Sequence, residues 1–349
     1  MWFISLRDLV YRRRRFVIAI LGTAAVFAMA LVLAGMASGF TVEADRTLEG
    51  IGADAWVVPK GVPGPFTSFR TMPVALAHQV AQEPGVQQAD PFIHLRQTVP
   101  TNGKLNDVNV FGYTPGGLGT PQVTEGNAVS GPGQIVVDSK LGYGVGDRLV
   151  VGRWPYRVVG VVDGMTLMGG FPDVYVTIRD AQAMGFEGQP VITTVLTKGV
   201  PQELPPGFVA VTNDTARDDS LRPLQSGISS IGSSRTFLWV IAAIIIGTVV
   251  YLSTLERVRD FAVLKAVGAS SRDLFLGLAA QSVVVALVSA ALAAVLAQLL
   301  APLFPLTIAI PWTAYALLPV VALLVGLLAS LVGLRKAITV DPALAFGGN

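Results

Sequence analysis

The sequence has no cysteine and only two histidines, His78 and His94. The missing cysteine excludes disulfides and thiolate metal sites, and no second imidazole stands at the i, i+4 spacing that pairs ligands on a helix face. Charge is sparse as well. Asp, Glu, Lys and Arg make up 14% of the 349 residues, with 25 basic against 23 acidic side chains, so there is no basic excess to meet a nucleic acid. The motifs of catalysis are also missing: no G-x-x-x-x-G-K-[ST] phosphate loop, no G-x-S-x-G, no H-E-x-x-H and no carboxylate pair inside an apolar run. We expect no catalytic residue, no metal and no cofactor in this chain.

What the sequence has is apolar length. It is 52% hydrophobic, with a mean hydropathy of +0.59, too apolar for a soluble domain and too polar for membrane throughout. Residues 16–37 form an uncharged run of about 22, enough to cross a hydrocarbon core of about 30 Å. It follows the basic stretch YRRRR. A secretory signal peptide also starts basic, but its apolar stretch is only about 7 to 15 residues, so the run is read as a retained anchor. A second span covers 236–255. The run 274–334 is too long for one crossing and is divided by Pro302, Pro305 and Pro311, because proline removes a backbone donor and disfavours helix at the preceding residue.

The expected fold is membrane α-helical with four transmembrane helices, plus an α+β extracytoplasmic domain between helices 1 and 2. The expected spans are 16–40, 236–255, 273–300 and 313–334, with an extracytoplasmic turn at 301–312 and Trp312 at an interface. Basic residues near span ends set orientation. Arg12 to Arg15 precede the first span, Arg257, Arg259, Lys265 and Arg272 lie between the second and third, and Arg335 and Lys336 follow the fourth. All three groups share one side when four spans separate them in this way. Segments 1–15, 256–272 and 335–349 are then cytoplasmic in a multi-pass protein of the cell membrane. The domain at 41–234 reads as an α/β part near 45–124 and 186–220, an inserted β-rich part near 125–185, and a stalk at 221–235 continuing helix 2. AWVVP (55–59), QIVVD (134–138), DVYVTI (173–178), ITTVLT and FVAVT read as strands, and 147–164 as a hairpin. Residues 72–86 have helical spacing closed by Pro84 and Gly85.

Three groups of residues are candidates for function. Small residues recur every fourth position: Gly35 and Gly39 in the first span, Ser282, Ala286, Ala290 and Ala294 in the third, and Ala322, Gly326 and Ser330 in the fourth. Such stripes allow close backbone approach between helices in lipid. The segment DGMTLMGGFPD (163–173) places Met165, Leu167, Met168 and Phe171 among glycines. These side chains either hold cargo, an extracytoplasmic adaptor or a lipoprotein on the surface, or tuck into the core. The third group is ERVRDFAVLKAVGASSRDLF (256–275), a charged passage between two apolar runs. It shows no clean apolar face, so it reads as a short helix in contact with protein on one side and membrane on the other, rather than one lying on lipid. A solvated loop that only enforces topology is the other reading. Gly268 ends the turn, and Ser270 with Asp273 fits a capping box for the next helix.

This passage resembles the cytoplasmic signature of FtsX-like, MacB-type ABC transporter permeases, "ER-x-R-E-F-x-[VL]-L-[KR]-A-[LV]-G-A", with Asp260 where Glu is commoner. RKAITVDPALAF (335–346) is similar to that family's terminal motif, and RWPYRVVGVV to a strand of its extracytoplasmic domain. The resemblance implies that ATP and Mg are handled by a separate cytoplasmic ATPase, in two copies alongside a second copy of this permease. It also implies that Glu256, Arg257, Arg259, Asp260, Phe261, Leu264, Lys265 and Gly268 couple to that ATPase. The implied mechanism is mechanotransmission: ATPase closure tilts helix 2 and moves the outer domain, exporting or extracting an amphiphilic cargo such as a lipid, peptide or hydrophobic drug. The alternative is a non-transporting signal transducer that activates an extracytoplasmic cell-wall enzyme. In either case the chain itself is not an enzyme.

Overall fold

The computed structural model describes residues 13–101, 103–256, 263, 267–268, 270–304 and 306–338. They form two compact units, Met1–Gly39 with Gly227–Asn349, and Phe40–Ser226. Along the chain, α1 (Arg13–Ile51) leads to β1 (Ala55–Pro59), β2 (Met72–Pro73), α2 (Leu76–Val80), β3 (Gln88–Thr101) and β4 (Lys104–Tyr113). Next come β5 (Glu125–Gly126), β6 (Gln134–Asp138), β7 (Arg148–Val151), β8 (Trp154–Val162), β9 (Thr166–Leu167) and β10 (Phe171–Thr177). Then α3 (Ile178–Phe186), β11 (Val191–Ile192), β12 (Thr194–Lys198), β13 (Phe208–Thr212) and α4 (Asn213–Leu221) complete the domain, before α5 (Gln225–Glu256), α6 (Ser271–Leu300) and α7 (Trp312–Ile338).

Among the described residues, α1, α5, α6 and α7 carry the stretches long and apolar enough to cross a membrane. Their shared core is built from alanines and large aliphatic residues, with Phe16 and Phe27 from α1. Phe16, Ala19, Phe27, Ala28 and Leu31 recur at helical spacing on α1 and are buried with Ala286, Ala290, Ala293 and Ala297 of α6 and Ala322 and Ala329 of α7. Gly326 shows why size matters here: a Cβ on it would stand 2.9 Å from Val283 Cα and 3.0 Å from Ser282 O, which holds α6 and α7 together at backbone contact. Gly35 and Gly39 meet a different element. Ala309 donates its backbone N–H to Gly35 O at 3.0 Å, Gly35 faces Ile308 and Ile310, and Gly39 abuts the carbonyl of Thr307. This stripe on α1 therefore accommodates the connection between α6 and α7 rather than another helix.

That connection is shaped by proline. Helix α6 stops at Leu300 and a 3-10 turn over Ala301–Leu303 carries Pro302. Pro319 lies inside α7 without ending it. The start of α6 is fixed by a capping box: Ser270 is extended, its Oγ accepts the Asp273 N–H, and the Asp273 carboxylate accepts the Ser270 N–H at 3.2 Å.

In the second unit, one sheet runs in the order β13-β1-β12-β3-β4-β10-β6-β8-β5, with β7 added to β8 and β9 to β10; β2 and β11 pair separately. The segments on either side of 125–185 supply β13 through β4, and 125–185 supplies the rest, joined by the parallel β4–β10 pair. Period-2 alternation buries both faces. Val174 and Val176 of β10 enter one core with Ile135, Val137, Val108 and Val110. Tyr175 enters the other with Val136, Phe111, Trp56 and Phe92. The second core is closed by helices, with Ala44, Leu48 and Ile51 from α1 and Ala216 from α4. The helical spacing over 72–86 yields only α2, five residues long, because Met72–Pro73 is claimed by β2. The β3–β4 hairpin has no counterpart in the pattern reading. Pro91, Pro100 and polar Asn106 and Asp107 break the alternation there, and pairing across nine registered positions holds it together.

Candidate functional site

The conspicuous sequence candidate, the charged passage, falls mostly outside the described residues: Arg257, Arg259, Asp260, Phe261, Leu264 and Lys265 are not among them. Its borders are described. Glu256 is the last residue of α5. Val267 donates its N–H to Val263 O at 3.0 Å, and Gly268 has φ +103°, a left-handed conformation that a side chain would disfavour.

The second candidate, 163–173, holds the outer end of α1. Leu167 and Met168 are buried in the core that contains Ala44, Leu48 and Ile51. Met165 reaches Gly50, where a Cβ would stand 2.6 Å from its Cε. Phe171 is half-buried, with the Arg96 guanidinium 4.5 Å over its ring. Met168, Gly169 and Gly170 all have positive φ, which turns the chain back sharply. The same turn meets Leu224 beside the start of α5, since a Cβ on Gly169 would lie 3.3 Å from Leu224.

Polar groups complete the clamp. Arg46 Nη1 donates to Gly164 O at 3.2 Å. Thr47 Oγ1 lies 3.2 Å from both Thr166 O and Asp173 Oδ2. Asn109 Nδ2 donates to Asp173 Oδ1 at 2.9 Å and to Phe171 O at 3.2 Å. Its Oδ1 is an acceptor and lies 3.4 Å from His94 Nε2. Asp173 is fully buried, and desolvation raises its pKa well above the usual carboxylate value, with Asp138 and Glu43 pushing the same way. Thr47 Oγ1 is within donating distance of both Thr166 O and Asp173 Oδ2, and its single hydroxyl proton serves these two acceptors. Burial moves His94 in the opposite sense, down to about 4, so it is neutral. The contacts His94–Asn109–Asp173–Thr47 thus link the sheet to α1.

Pattern reasoning missed Arg46, Thr47, Asn109 and Asp173 as a group. One signal was present: Ala44, Thr47, Leu48 and Ile51 continue an i, i+3, i+4, i+7 face past the end of the apolar run. Among the described residues, no group of three His, Asp or Glu side chains is arranged to hold a metal ion.

Comparison with known proteins agrees with this architecture. Residues 17–219 match the MacB-like periplasmic core domain, and residues 234–342 match the FtsX-like permease C-terminal domain. Two ABC transporter permeases of Mycobacterium tuberculosis are 44% and 43% identical over 348 residues, covering 100% of both chains. A Staphylococcus haemolyticus protein bearing the name of hemin transport system permease protein HrtB is 22% identical, covering 98% of each chain. The periplasmic region of MacB from Actinobacillus actinomycetemcomitans aligns over 50% of this chain and 95% of that one, at 13% identity and TM-score 0.36. With its four membrane helices and the mixed domain between the first two, the chain belongs to the FtsX-like, MacB-type family of ABC transporter permeases.

Proposed function

We propose that this permease works by mechanotransmission, driven by a separate cytoplasmic ABC ATPase and serving to export or extract an amphiphilic cargo. The observation that carries the reading is the joint at 163–173. Helix α1 is continuous from Arg13 to Ile51, and its last turns are bolted to the sheet by Arg46 and Thr47, while the same turn touches Leu224 at the approach to α5. A displacement of the outer end of α1 therefore reaches the sheet through packed, hydrogen-bonded contacts instead of a slack linker, and Leu224, just before α5, lies beside the same turn. In this role Met165, Leu167, Met168 and Phe171 are parts of the joint, and cargo is held elsewhere.

The force enters at the cytoplasmic passage. Phe261 and Leu264 seat in a groove on the ATPase, with Arg257, Arg259, Asp260 and Lys265 around them, and both termini lie on the same side. Two permeases and two ATPases form the assembly, and ATP and Mg stay in the ATPase, since this sequence has no phosphate loop. The name of the staphylococcal relative supports an amphiphile as cargo, hemin being one. The test is reconstitution of the full chain with its ATPase in lipid nanodiscs. ATP hydrolysis should require both proteins and rise with one member of a panel of lipids, lipopeptides and hemin. Hydrolysis by the permease alone would overturn the division of labour, and activation of a cell-wall hydrolase without any amphiphile response would replace transport with signalling.

A further inference from the structure

Helices α5 and α7 leave an open groove of about 650 Å³ on the membrane unit. A stripe on α5 that includes Trp239, Ala243, Gly247 and Tyr251 forms one wall, and Val321 to Ala329 of α7 forms the other. The small Ala243 and Gly247 give it depth. Its lining is almost wholly aliphatic and aromatic, so water inside would lack hydrogen-bond partners. From Thr236 to Tyr251 the groove follows about 22 Å of helix axis, more than the about 15 Å of hydrocarbon in one leaflet.

A charge stands at its end. Arg235 directly precedes the apolar run, on the side of the extracytoplasmic domain, and lines a smaller crevice that shares Trp239 and Val321 with the groove. Its guanidinium lies 5.6 Å over the Trp239 ring. Stacking of this kind leaves the in-plane N–H donors free. Among the described residues, no carboxylate forms an ion pair with it. An unpaired arginine at the hydrocarbon edge, above a long apolar slot, complements a molecule with a phosphate at one end and a hydrocarbon chain behind it.

We infer that this groove binds one anionic phospholipid, with its phosphate on Arg235 and one acyl chain along α5 from Trp239 to Tyr251. The groove lies on α5 and α7 and does not depend on whether the protein transports.

The test uses the full chain extracted in mild detergent from membranes containing equal amounts of phosphatidylglycerol and phosphatidylcholine, with retained lipids counted by native mass spectrometry. The wild type should keep phosphatidylglycerol about fivefold over phosphatidylcholine, the preference one well-placed basic residue gives. Arg235→Gln should bring that ratio close to one. Thr248→Trp, on an exposed position lining the groove, should release both lipids while the protein stays folded by circular dichroism. Equal retention of the two lipids by the wild type, or an unchanged ratio in Arg235→Gln, would overturn the site. So would efficient disulfide cross-linking of an Ile244→Cys variant in the bilayer, because it would put a second copy in the groove.

Discussion

Gly39 lies against the carbonyl of Thr307 with no room for a Cβ between them. Gly22, seventeen positions earlier on the same helix, has nothing within 4 Å of the Cβ position. The two glycines of α1 therefore answer differently to the same change. Gly39→Ala must push the α6–α7 connection off α1 and should cost about 1–3 kcal/mol, whereas Gly22→Ala should leave stability unchanged or slightly raised. Thermal unfolding of the full chain in nanodiscs distinguishes them, and equal effects would contradict the packing.

The Thr47 hydroxyl joins α1 to Asp173 and Thr166 from a fully buried position. Thr47→Val keeps the shape and removes both bonds, leaving the buried acceptors of Thr166 and Asp173 unmatched, at a cost of about 1–3 kcal/mol. Thr47→Ser should retain most of the stability. Denaturant unfolding of the full chain is the measurement, and equal tolerance of Val and Ser would mean that the network does not hold the helix.

His94 and Asp173 give opposite pH dependences. The folded-state value of His94 is lowered from 6.5 to about 4, so the stability it contributes is complete above 6.5 and is lost as pH falls through 4. The full swing is about 3 kcal/mol. Asp173 is raised from 3.8, so its contribution is complete below 3.8 and fades as pH rises through the folded value. In His94→Gln, which keeps a donor for Asn109, the first slope should vanish. The stability difference between wild type and variant should grow from pH 4 to 6.5 and stay level above. A difference independent of pH would show that His94 is not buried and neutral.

Much of the membrane unit was legible because lipid imposes strict rules on a chain. The proline cluster and the Ser270–Asp273 capping box are local signals; the small residues are less specific, since Gly326 packs on α6 whereas Gly35 and Gly39 meet the α6–α7 connection. In the domain, strands with clean alternation, such as Ala55–Pro59 and Gln134–Asp138, stand where the pattern puts them. The long β3–β4 hairpin did not show, since its stability comes from register and burial between neighbouring strands rather than from its own residues. Leu167 and Met168 were open to two readings because a glycine-rich stretch gives no period; their burial depends on the distant face of α1 at Ala44 and Leu48. The Asn109–Asp173–Thr47 network joins residues more than sixty positions apart and has no linear signature.

The absence of cysteine makes topology directly testable. A Lys265→Cys variant should resist a membrane-impermeant thiol reagent in intact cells and react after the membrane is opened. Labelling in intact cells would place the passage on the outer face, beyond reach of a cytoplasmic ATPase.

The proposed grip on 256–268 is tested most directly by substituting Phe261 and Leu264 with Asp together and measuring how much ATPase co-purifies with the full-length permease. The expected result is loss of at least about nine-tenths of the bound ATPase, with unchanged circular dichroism and unchanged unfolding temperature of the membrane helices, as two buried charges in a small contact cost several kcal/mol. Full retention of the ATPase by the folded double variant would contradict the grip and, with it, the route by which force reaches the outer domain.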